Sequence, residues 1–247
     1  LRCPSCYRGQ TEMATNGIMD IELFGRIIQK IRHEYSGSVV CLFNWTEPFL
    51  HPHLPKFIQV VRDAGLDCNI STNLNILRNT DEVLLAKPSN FKISLSGFTQ
   101  EVYEIGHRAG NIERVKENMK ILSEGIKRLN PKLKVCVHYH KYNYNFHELG
   151  MMERYASSLG FGFMSSWAFP MPVESALDYI QGVSSSEQKK FIETRYAFRL
   201  DRALAAARLY RHNPCNLLDY MTIDFEGNLL LCCGVSEKAI LGQFLNL

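Results

Sequence analysis

Residues 54–71 read LPKFIQVVRDAGLDCNIS, and residues 91–95 read FKISL. Leu54 to Ala64 is predicted as a helix, with Pro55 in its first turn and Gly65 as its stop. Asp67 to Ser71 and Phe91 to Leu95 are short apolar runs of the buried-strand type. The same alternation extends in both directions. Upstream, Ile21, Phe24, Ile27, Ile28 and Ile31 form a helical stripe capped by Asp20, followed by the strand-like Ser38 to Phe43 (SVVCLF). Downstream come Asp81 to Ala86 and Ile112 to Leu129 as helices. Leu133 to Tyr139 (LKVCVHY) then reads as a strand, Phe146 to Leu159 as a helix and Phe161 to Trp167 as a strand. A βαβα order with apolar strands implies a parallel sheet covered by helices, an α/β fold. Such folds place ligand-binding loops at the carboxyl ends of the strands.

Past Pro172 the pattern changes. Ser184 to Ser186 are positioned to cap a helix from about Glu187 to Tyr210, broken by Asn213-Pro214. Met221 to Asp224 and Leu229 to Leu231, joined by a turn at Glu226-Gly227-Asn228, read as a β-hairpin. The expected organisation is a core over residues 1–183, a linking helix over 184–212 and a small extension over 213–247.

Composition narrows the function. Of 247 residues 46% are hydrophobic, and 28 basic residues against 25 acidic ones leave a net charge of +3. That mixture excludes disorder, collagen and coiled coil, and it gives no basic nucleic-acid footprint. No apolar run is long enough to span a membrane, and the opening LRCPSCYRGQ lacks a signal-peptide layout. Eight cysteines in a chain of this length, without an export signal, fit a reducing cytoplasm and metal ligation better than disulfides. Cys41, Cys68 and Cys136 sit in apolar runs and are expected to be small buried hydrophobes. Cys3 and Cys6 form a CxxC in a loop, a pattern shared by zinc, redox and iron–sulfur sites. Cys215, Cys232 and Cys233 form a second group near the hairpin. His138 and His140 share a strand face and are expected to line a cavity, whereas Trp45 and Trp167 read as packing residues.

The motifs in order resemble the radical S-adenosylmethionine (radical SAM) enzymes. LRCPSCY is similar to the end of that family's CxxxCxxC motif, whose first cysteine would fall two residues before Leu1, with the first strand ahead of it. NWTEPFLHP resembles the Gly-Gly-Glu-Pro loop, with Asn44 and Thr46 at the glycine positions. ISTN, KISLSG and the stretch containing HRAGNIERV resemble later elements of the barrel. CNLLDYMTIDFEGNLLLCCG resembles the start of a SPASM or twitch extension, with Cys232 five residues after Gly227.

The resemblance implies a partial (β/α)6 barrel lacking its first strand, followed by a helix and a small hairpin extension. It also implies a [4Fe-4S] cluster on Cys3, Cys6 and one upstream cysteine, and a probable auxiliary iron–sulfur cluster on Cys215 and Cys232. Glu47 would accept hydrogen bonds from the ammonium of S-adenosylmethionine, and Arg108 would pair with its carboxylate. Ser94, Thr72, Asn73 and Thr46 complete the expected cofactor contacts. Reductive cleavage to a 5′-deoxyadenosyl radical would then abstract hydrogen from a peptide or small metabolite, with electrons from a flavodoxin-type reductase. Two alternatives stand beside this reading: a zinc-stabilised α/β binding protein using Cys3, Cys6, Cys215 and Cys232, and a radical SAM scaffold that has lost catalysis.

Overall fold

The structure, a computed structural model, describes residues 1–10, 17–35, 37–197, 202, 205, 209–210, 212–214, 219–235 and 240–246. After a short helical turn, α1 (Tyr7–Gln10), comes α2 (Ile21–Glu34), with the Asp20 carboxylate accepting from the backbone N–H groups of Glu22 and Leu23. The strands β1 (Val39–Cys41), β2 (Asp67–Thr72), β3 (Asn90–Leu95), β4 (Lys134–Lys141) and β5 (Gly162–Trp167) form one parallel sheet in chain order. Between them run α3 (Leu54–Asp63), α4 (Thr80–Leu85), α5 (Gln100–Gly106), α6 (Ile112–Leu129) and α7 (Leu149–Ser158). This is the expected α/β alternation, an open sheet and not a closed barrel.

The sheet has two unlike faces. Cys68, Ile70, Phe91, Ile93, Leu95, Val137 and Tyr139 point into one core with Ile28, Ile58, Val61, Leu84, Met119 and Met152 of the helices. Because strand side chains alternate, the residues between them line the opposite, open face. Register aligns these in rows: Cys41, Asn69 and Asn90, then Ser71, Lys92, Cys136 and Gly162, then Ser94, His138 and Met164. That alternation corrects one expectation. Cys68 is buried, but Cys41 is exposed and Cys136 only partly covered. Apolar residues occupy both sets of positions in SVVCLF, so the sequence hides which cysteine faces outward.

The C-terminal part also differs from expectation. Residues to which the sequence reading gave no element form α8 (Val173–Gln181), and α9 (Ser186–Arg195) starts on a capping box of Ser185 and Gln188. α9 ends at Arg195, and Tyr196 and Ala197 interrupt the helix expected to run to Tyr210, although Arg202, Ala205, Leu209 and Tyr210 are again helical. The Asn143 N–H donates to the Arg195 carbonyl at 2.8 Å, and its side chain donates to the Tyr196 carbonyl at 2.8 Å. Tyr196 is buried against Tyr142, with ring centroids 5.5 Å apart. A tertiary contact captures the helix end, and no local sequence signal encodes it. The expected hairpin is present as β6 (Thr222–Ile223) and β7 (Asn228–Leu230), with Gly227 at φ +84° in the turn. A third strand, β8 (Ile240–Gln243), completes an antiparallel sheet, where the sequence reading stopped at two. Its neighbour Phe244 is buried in the main core, and the ammonium of Lys30 on α2 lies 5.7 Å from its ring centroid.

Candidate functional site

Cys3 and Cys6 lie in the turn that opens the chain, where the Cys6 N–H donates to the Cys3 carbonyl at 3.0 Å. Both cysteines are partly buried. The turn folds back so tightly that a Cβ on Gly9 would sit 2.0 Å from the Cys3 carbonyl oxygen. Burial, reinforced by the neighbouring Cys6, pushes the Cys3 thiol up to about 11. A thiol held that high keeps its proton at neutral pH, and a bound metal cation would have to displace that proton. By donor type, two cysteine sulfurs in a CxxC turn are what an iron–sulfur cluster takes. Among the described residues no group of three His, Cys, Asp or Glu side chains is placed to hold a metal ion.

The loop after β1 meets the end of β2 through Glu47. One carboxylate oxygen accepts from Thr72 Oγ1 at 2.7 Å and from the Phe49 N–H at 3.2 Å. The other accepts from the Asn73 N–H at 2.9 Å and from Asn73 Nδ2 at 2.5 Å. Burial raises the Glu47 pKa, and these hydrogen bonds, led by that from Thr72, oppose the rise. The arrangement brings together three of the expected cofactor residues, Glu47, Thr72 and Asn73. Thr46 beside them is exposed.

Ser94 lies on the open face, its Oγ 3.1 Å from Ser71 Oγ. Arg108 is an exposed residue on the connection from α5 to α6. Its carbonyl accepts from the Arg2 N–H at 3.3 Å, so its backbone abuts the cysteine turn. Cys232 follows β7, and its Sγ accepts from the Gly234 N–H at 3.3 Å. Cys215 lies outside the described residues.

His138 and His140 share one face of β4, as expected: their rings are 4.4 Å apart, and His138 Nε2 is 2.7 Å from Ser166 Oγ. Burial, then the neighbouring His138, pushes His140 down to about 3. Sequence reasoning missed His107, which stacks on Tyr103 at 4.4 Å and bonds Ser96 Oγ at 2.8 Å. Burial holds it at about 4. A Cβ on the adjacent Gly106 would meet Ser96 Oγ at 2.5 Å, so the glycine permits that contact. Also missed was the tyrosine group Tyr142, Tyr144 and Tyr196, which lies beside Ser5 of the cysteine turn. The only sequence signal was the alternation in Tyr142-Asn143-Tyr144.

Comparison with known proteins agrees with this geometry. Residues 1–149 match the model of the Radical SAM superfamily. The chain belongs to that superfamily, whose general cofactors are S-adenosylmethionine and an iron–sulfur cluster. Native anSMEcpe with bound AdoMet is similar in fold, at a TM-score of 0.65 and 14% identity, covering 100% of this chain and 74% of that one. SuiB of Streptococcus suis bound to S-adenosylmethionine gives a TM-score of 0.62 at 12% identity, covering 98% of this chain and 60% of that one. SuiB bound to its precursor peptide SuiA gives 0.64 at 11% identity, covering 99% and 60%. Among curated proteins the chain has no significant match. No helix among the described residues is long and apolar enough to cross a membrane.

Proposed function

We propose that this protein is a radical SAM enzyme acting on a peptide or small metabolite. The observation that carries the reading is the joining of the strand-end loops. Glu47 is bonded to Thr72 and Asn73 at the carboxyl ends of β1 and β2, and the Cys3 and Cys6 turn touches the α5–α6 connection. In this reading Cys3 and Cys6, with one further cysteine, hold a [4Fe-4S] cluster. Glu47, Thr46, Thr72 and Asn73 receive the amino acid end of S-adenosylmethionine, Ser94 its ribose, and Arg108 its carboxylate. When bound, the cluster and S-adenosylmethionine supply one electron and a carbon radical that abstracts hydrogen. The chain's own residues orient the cofactor, exclude water and hold the substrate.

A peptide substrate gains support from two neighbours, SuiB bound to a precursor peptide and anSMEcpe bound to AdoMet and a peptide. The proposed organisation keeps a core over 1–183, a link over 184–212 and an auxiliary-cluster segment over 213–247 using Cys215 and Cys232. A flavodoxin-type donor and a cytoplasmic location complete the proposal.

A second reading, a scaffold without catalysis, is favoured by one feature: every acceptor direction of Glu47 is already taken by protein donors. Anaerobic reconstitution separates the two. At least about four irons per chain, with 5′-deoxyadenosine formed from S-adenosylmethionine and dithionite, is the expected result. An intact cluster without cleavage supports the scaffold. Bound zinc in place of iron overturns both cluster readings.

A further inference from the structure

Lys92 is a charge in an unusual place. It lies on the open face of β3, in the row Ser71, Lys92, Cys136, one row beneath Ser94 and His138. Two residues along a strand separate those rows by roughly 7 Å. Its ammonium lies 4.9 Å from the centroid of the Phe43 ring, a cation–π contact. Among the described residues Lys92 forms no ion pair; the five found there involve Lys30, Arg62, Lys116, Lys120 and Arg128. Its titratable neighbours are Cys41 and Cys136, together with His138 and His140, which its charge pushes toward their neutral forms. Burial pushes both thiols up, so they remain protonated at neutral pH and offer no counter-charge.

A hydroxyl pair beside the lysine, Ser71 in its own row and Ser94 one row above, adds a donor. Ser71 and Ser94 are 3.1 Å apart, and one of the two O–H groups serves that bond. The other is free to donate outward, since each hydroxyl carries a single proton. Beside it the buried Nδ1 of His138 has no hydrogen-bond partner. A partly buried cation without an anion carries a desolvation cost that an anion of matching charge offsets. One ammonium and one free hydroxyl match a singly charged carboxylate. A phosphate, with its second charge and third oxygen, would call for a guanidinium or a set of converging backbone N–H groups.

We infer that Lys92, with the Ser71 hydroxyl and with Ser94 left to the cofactor, anchors a carboxylate of the substrate on the open face of the sheet, beneath the cofactor loops. This rests on the radical SAM reading for the identity of the bound molecule as substrate. Seated there, the carboxylate fixes one end of the substrate at the Lys92 row. A carbon a few bonds away then lies level with Ser94 and His138, toward the strand ends.

The test uses the reconstituted full chain with S-adenosylmethionine, titrated calorimetrically with benzoate, its neutral isostere benzamide and inorganic phosphate. Benzoate is expected to bind about tenfold or more tightly than benzamide, because the ammonium bond is charge-assisted. Lys92→Met should lose that preference and Lys92→Arg should keep it, while Lys120→Met, at an exposed helix position, should match the parent chain. Near-UV circular dichroism establishes that each variant is folded. Equal binding of benzoate and benzamide, a preference for phosphate, or unchanged benzoate affinity in Lys92→Met would each overturn the inference. The enzymatic reading fails separately: a parent chain that takes up benzoate but releases no 5′-deoxyadenosine keeps the anion site and loses that reading.

Discussion

Along β3, Phe91, Ile93 and Leu95 are at most 1% exposed, while Asn90, Lys92 and Ser94 between them are exposed or partly so. The same backbone thus serves two environments one pleat apart. The helix-covered face is filled by aliphatic and aromatic side chains in a single cluster. The open face carries Ser71, Lys92, Ser94, Cys136, His138 and His140, with the cofactor-type loops at its rim. The covered face pays for the conformational entropy of folding through apolar burial, which leaves the other free to hold polar groups. Substitutions on the two faces should therefore separate into effects on stability and effects on ligand binding.

The largest effect belongs to the covered face. Ile93→Ala removes a side chain with 0% exposure at the centre of the sheet, and a loss of about 2–5 kcal/mol is expected from urea unfolding. A loss below about 1 kcal/mol would mean that the core is loosely packed and the contrast between faces is weak.

Next in size is Asn145→Ala, which probes the tie between the faces. The fully buried Asn145 donates to the carbonyls of Ser96 and His140 at 3.0 and 2.9 Å and accepts from the Tyr142 N–H at 2.8 Å. Its loss strands three buried backbone groups, and a destabilisation of about 2–4 kcal/mol follows from the cost of unpaired polar atoms. Because these bonds position the end of β4, the His138–Ser166 contact should also loosen, read as a shift in the His138 ring signals by NMR.

How far these faces were legible in the sequence depends on the element. The helices from Ile21, Leu54 and Ile112 announce themselves by periodicity and by caps at Asp20 and Gly65. Their positions follow from local chemistry. The cysteine turn and Glu47 were legible as motifs, and the structure adds the bonds from Glu47 to Thr72 and Asn73. The side of the sheet occupied by Cys41 was not legible, because apolar residues fill both phases of SVVCLF, whereas Cys136 shares its phase with Lys134 and His138 in LKVCVHY, an alternation that already pointed it outward. The stop of α9 at Arg195 was equally hidden, since it is set by Asn143, more than fifty residues earlier in the chain. His107 escaped notice because its partner Ser96 comes from a different element.

Acid should weaken the protein through two histidines, His140 on β4 and His107 at the end of α5. His107 and His140 are held by burial at about 4 and about 3, below the ordinary value of 6.5. Folding thus favours their neutral forms. Between pH 6.5 and about 4 the unfolded chain binds more protons, so stability falls as pH falls. Each group contributes a slope of up to about 1.4 kcal/mol per pH unit. Urea midpoints recorded from pH 7 to 5 should decline, and the decline should be shallower in His107→Gln. An unchanged slope in that variant would show that His107 titrates normally and that its stacking on Tyr103 leaves it open to water.

The smallest effect is the sharpest test of the contrast. Met164 stands on the open face in the row of Ser94 and His138 and is 49% exposed. Met164→Ser removes an apolar side chain comparable in size to Ile93, yet it leaves no cavity, because half of that side chain already meets solvent. A stability change within about 0.5 kcal/mol is expected from urea unfolding. A loss near the Ile93→Ala value would mean that further parts of the protein cover this face and that its polar rows belong to a second core. Binding of benzoate would then also be blocked, so the two measurements together decide whether the open face is a surface for ligands or an interior waiting for its lid.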